Sequence, residues 1–137
     1  SSVLLVNGAD GRFIEHPIKT PFAGFTMGIV AGDFDNDGRP DLYLANMFSK
    51  AGDRIVANLP EDAYTPEVRA KIKQFVNGSE LLHNNGDLTF EPMGRRLGVN
   101  GIGWAYGPSM VDLNNDGWLD LYATAGFLSY SRGESDG

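Results

Sequence analysis

A chain of 137 residues, 42% hydrophobic and 21% charged, is long enough to form one domain with a core. Its formal charge of −7 gives no attraction for nucleic acid or anionic lipid, and the absence of cysteine excludes disulfides, thiol catalysis and cysteine-ligated metals. With 18 glycines, 7 prolines and few long helical patterns, the composition favours a β-rich fold with many turns.

Val3-Leu4-Leu5-Val6 reads as a strand running into the turn Asn7-Gly8-Ala9-Asp10-Gly11, whose residues tolerate positive φ, and Phe13 opens the return strand. The aromatic-glycine stretch Gly24-Phe25-Thr26-Met27-Gly28 follows. Ile29-Val30-Ala31 then enters the acidic segment Asp33-Phe34-Asp35-Asn36-Asp37-Gly38-Arg39-Pro40-Asp41, and Leu42-Tyr43-Leu44 leaves it. Residues 47–79 interrupt this pattern. Thr65-Pro66-Glu67 has the form of a helix start, Val68, Ile72, Phe75 and Val76 fall on one helical face, and Asn77-Gly78 suits a stop. The spacing predicts an amphipathic helix over 66–76 that packs on a sheet edge.

The first pattern then returns. Leu81-Leu82-His83-Asn84-Asn85-Gly86-Asp87-Leu88-Thr89-Phe90 repeats the opening turn, and Gly103-Trp104-Ala105-Tyr106-Gly107 repeats the aromatic-glycine stretch. Asp112-Leu113-Asn114-Asn115-Asp116-Gly117-Trp118-Leu119-Asp120 repeats the acidic segment 79 positions after Asp33. Each repeat therefore supplies four short strands. The expected organisation is a first repeat at 1–46, an insertion at 47–79, a second repeat at 80–125 and a polar tail or linker at 126–137.

The acidic segments carry the chemistry. Oxygen-bearing side chains at loop positions 1, 3, 5 and 9, with glycine at 6, let a short loop wrap a hard cation. The first loop offers Asp33, Asp35, Asp37, the carbonyl of Arg39 and Asp41. The second offers Asp112, Asn114, Asp116, the carbonyl of Trp118 and Asp120. Two Ca²⁺ sites are expected, since Mg²⁺ keeps its waters and transition metals prefer His or Cys. The second loop has one charge fewer and is expected to bind more weakly. Position 12 holds Leu44 or Ala123 where an EF-hand needs Glu, and the flanks read as strands, so these are hairpin loops.

Phe25 through Asn46 and Tyr106 through Thr124 resemble FG-GAP repeats, the calcium-binding blades of integrin α-subunit propellers; the LLHNNGDLTF turn is closer to the bacterial VCBS branch and the cartilage-acidic-protein (ASPIC) group. The resemblance places the calcium ligands on Asp33, Asp35, Asp37 and Asp41, and on Asp112, Asn114, Asp116 and Asp120. It implies an all-β fold of two four-stranded antiparallel propeller blades with calcium-binding hairpin loops and a short helical insertion. It also implies an extracellular or periplasmic module that presents a rigid surface for adhesion or protein assembly, with a protein or polysaccharide ligand. Because two blades cannot close a ring, the chain is expected to be part of a longer propeller or to pair with copies of itself as a structural subunit. A propeller polysaccharide lyase or hydrolase is a further alternative.

The remaining residues read blandly. Trp104, Tyr106, Trp118, Tyr122, Phe25 and Tyr43 are expected in the core, His16 and His83 as isolated polar residues, and Arg95-Arg96 as a solvated turn. Asn77-Gly78-Ser79 is a glycosylation sequon. No GxSxG, HExxH, P-loop or dinucleotide motif is present, no catalytic residue is expected, and no apolar run is long enough to span a membrane.

Overall fold

The computed structural model describes residues 3–18, 24–47, 54, 56–60 and 63–126. Part of the expected insertion and nearly all of the expected tail lie outside these residues. The described chain is antiparallel β with one short helix. Its strands are β1 (Val3–Asn7), β2 (Phe13–Pro17), β3 (Thr26–Gly32), β4 (Asp41–Asn46), β5 (Glu80–Asn84), β6 (Phe90–Pro92), β7 (Ala105–Val111) and β8 (Asp120–Ala125), with helix α1 (Pro66–Phe75) between β4 and β5.

Local chemistry sets each hairpin. In the β1–β2 turn, Arg12 N–H donates to Asp10 Oδ1 at 3.1 Å, and in the β5–β6 turn Thr89 N–H donates to Asp87 Oδ1 at 3.0 Å. These side-chain bonds imitate a backbone turn, which is why Asp recurs there. Asn7 pairs with Phe13 and Asn84 with Phe90, so the two hairpins share one register. The β3–β4 and β7–β8 hairpins are likewise similar, each with a register irregularity in the first half of its leading strand, between Thr26 and Gly28 and between Tyr106 and Ser109.

The strands join as one four-stranded sheet, β3-β4-β5-β6, and two two-stranded sheets, β1-β2 and β7-β8. This corrects the expectation of two four-stranded sheets, each made from one sequence repeat. The four-stranded sheet combines the end of the first repeat with the start of the second. Burial explains the arrangement. Tyr43, Leu44, Ala45 and Asn46 of β4 are all buried, which demands a partner on both edges. β5 supplies the second edge, with Leu42 opposite Leu82 and Tyr43 opposite Leu81.

Tyr43, Ala45, Leu81 and Ala105 form the buried core, flanked by Val30, Phe34, Val99, Ile102, Met110, Leu121 and Ala123. β7 lies against β3 and β4 and thereby closes one face of the large sheet. The approach is tight: a Cβ on Gly28 would stand 2.7 Å from Pro108 Cδ, and one on Gly32 would stand 2.7 Å from Met110 Sδ. The Tyr43 phenol, pushed up from its ordinary pKa by burial, donates to Val99 O at 2.9 Å.

Of the six aromatics expected in the core, Tyr43 is fully buried, whereas Phe25, Trp118 and Tyr122 are 65%, 54% and 55% exposed. Phe25 instead meets Phe75 of α1, with ring centroids 5.4 Å apart. The helix thus packs through its last turn, while Val68 on the expected apolar face remains exposed. No described helix is long and apolar enough to cross a membrane.

Candidate metal centre

The two acidic segments fold alike. Asp33 accepts from the N–H groups of Asp37 (3.0 Å) and Gly38 (2.8 Å), and Asp112 accepts from those of Asp116 (3.1 Å) and Gly117 (2.8 Å). Asp37 accepts from Arg39 N–H and Asp116 from Trp118 N–H, both at 2.9 Å. Asp41 accepts from Phe34 N–H at 3.2 Å, and Asp120 from Leu113 N–H at 2.9 Å. Asn36 and Asn115 adopt φ of 58° and 60°, followed by Gly38 and Gly117 at 85° and 90°. Asn and Gly are the residues that enter this region at least cost, so the loop conformation is encoded twice in the chain.

The loops differ in their surroundings. The first is backed by β5. Asp41 is fully buried, and its second oxygen accepts from Asn84 N–H at 2.8 Å. The Arg39 guanidinium pairs with the Asp37 carboxylate, and Arg39 Nε–H donates to Asn84 O at 2.9 Å. Arg39 entered the sequence reading for its carbonyl alone; its side chain ties the loop to β5. Trp118, its counterpart, is 54% exposed. The loops also touch: Asn36 Nδ2–H donates to Gly117 O at 3.1 Å.

His83 is the residue that sequence reasoning missed. It sits on β5, and its Nδ1 lies 3.4 Å from Asp35 Oδ2 and 3.2 Å from Asp41 Oδ1. The edge of Phe34 holds the ring, with centroids 6.1 Å apart at 84°. Read as a lone polar residue, His83 gave no signal. The signal lies in the β4–β5 pairing, which sets the residue after Leu82 beside Asp41.

Whether these residues suit a cation is decided by what they leave unsatisfied. Asp35 Oδ1 and His83 Nδ1 are buried without a hydrogen-bond partner. Ligand atoms of Asp33, Asp35 and Asp41, and those of Asp35, Asp37 and His83, lie within 4.8 Å of one another. Buried polar atoms without partners are costly, and a cation or a water at this place would satisfy them. The first loop therefore fits a cation. In the second loop Asn114 Nδ2–H donates to Asp116 Oδ2 at 2.9 Å, so the amide and one carboxylate satisfy each other.

Two acidic-loop hairpins of one design, set in antiparallel sheets, define a repeat module. The sequence matches the FG-GAP-like repeat family over residues 1–44 and 74–123, and the chain belongs to that family. Comparison with curated proteins and with solved structures finds no significant match.

Proposed function

We propose that the chain is a calcium-stapled module of an extracellular or periplasmic β-propeller protein that presents a rigid surface for adhesion or protein assembly. Membership of the FG-GAP-like family supports this reading, and the observation that carries it is the pair of orphaned atoms where the first acidic loop meets β5, Asp35 Oδ1 and His83 Nδ1. Asp33, Asp35, Asp37, the Arg39 carbonyl and Asp41 would hold one Ca²⁺. Asp112, Asn114, Asp116, the Trp118 carbonyl and Asp120 would hold the other. A bound cation relieves repulsion among carboxylates and fixes the hairpin end, so each loop acts as a staple. The ligand of the module is a protein or a polysaccharide that meets this rigid face.

Calcium at 100 times its dissociation constant stabilises a single-site fold by about 2.7 kcal/mol. The melting temperature accordingly rises by several degrees in millimolar calcium and falls back in chelator, as read by differential scanning calorimetry. No shift would sink the proposal.

A second reading, pairing with copies of itself through open edges, has one observation in its favour. Among the described residues, β8 has no partner like the one β5 provides to β4. Leu5, the register counterpart of Leu82, is 60% exposed where Leu82 is 1% exposed, and Tyr122 is 55% exposed where Tyr43 is fully buried. A β1–β2 hairpin from another copy would complete β8. Light scattering then gives a particle several times the 14.8 kDa chain mass, and a monomer at all concentrations rules it out.

A further inference from the structure

We infer that His83 makes the first loop a mixed nitrogen–oxygen site that takes Zn²⁺ more tightly than Ca²⁺, whereas the second loop stays an oxygen-only calcium site. The inference rests on the reading of the first loop as a cation site and goes beyond it by naming the metal that loop selects.

Three observations carry it. His83 Nδ1 is buried and has no hydrogen-bond partner although two carboxylate oxygens stand at 3.2 and 3.4 Å. Donors around one ion at Zn–N and Zn–O distances of about 2.0–2.2 Å stand about 3.0–3.5 Å apart, which is the spacing seen. The ring is only 18% exposed and is held edge-on by Phe34, so it reaches the site without a search through rotamers.

Donor chemistry sets the preference. Imidazole suits zinc and its neighbours, while carboxylates, carbonyls and water suit calcium. His83 joins Asp35 and Asp37 in one candidate ligand cluster and Asp33, Asp35 and Asp41 form another, with Asp35 common to both; an imidazole nitrogen with carboxylate oxygens is a donor set zinc accepts. Among the described residues, no histidine stands by the second loop, since the chain has 2 and His16 lies on β2.

The test is nitrogen NMR of the wild-type chain labelled in histidine, titrated with Zn²⁺ and separately with Ca²⁺. Zinc should move the Nδ1 resonance of His83 into the metal-bound range and leave His16 unmoved. In calorimetry, His83→Asn should lose at least about tenfold in zinc affinity and less than threefold in calcium affinity. Calcium binding accompanied by no zinc effect on His83 overturns this inference and leaves the cation reading standing. If neither metal binds, both readings are overturned.

Discussion

Replacing Asp41 by alanine lowers stability by about 3 kcal/mol in calcium-free buffer, while Asp120→Ala, the same change in the second loop, costs about 1 kcal/mol. The two aspartates have equivalent places in sequence but different surroundings. Asp41 is fully buried and accepts from both Phe34 N–H and Asn84 N–H. Its removal strands two donors, each about 1–3 kcal/mol if left unpaired, partly offset by the loss of one charge from a crowded loop. Asp120 accepts from Leu113 N–H on an exposed loop, where water replaces the lost carboxylate. Urea unfolding of the two variants measures the difference, and equal losses would contradict the role given to β5.

Gly28→Val is the second large effect, a destabilisation of about 2–3 kcal/mol. A Cβ there would meet Pro108 Cδ at 2.7 Å and Gly107 N at 3.2 Å, one a stiff ring and the other backbone, so β3 and β7 must part. Gly101→Ala is the control: nothing lies within 4 Å of its Cβ, and the change is neutral to within about 0.5 kcal/mol. Thermal melts separate the two by about 5–10 °C. If Gly28→Val melts with the control, the packing of β7 on β3 is not what closes this face.

Much of this was legible in the chain because local chemistry carried it. The Asp, Asn and Gly positions of the acidic loops reappear as matched hydrogen bonds and positive φ at Asn36 and Asn115, and as glycine turns at Gly38 and Gly117. The helix expected over 66–76 is α1, one residue shorter. What was not legible depends on which strand lies beside which. Turn residues set the register within a hairpin, but nothing local says that β4, followed by a long insertion, pairs with β5 across the repeat boundary. The position of His83 follows from that pairing and was hidden with it. The exposure of Leu5 and Tyr122 has the same origin: both repeat buried positions, in places where no described strand covers them.

Calcium stoichiometry tests the account most directly. Calorimetry on the wild-type chain is expected to show two sites, the first loop the tighter, and on a chain carrying Asp33→Asn and Asp35→Asn to show only the weaker one. Retention of both sites in that variant, or no calcium uptake by the wild type at millimolar concentration, would contradict it.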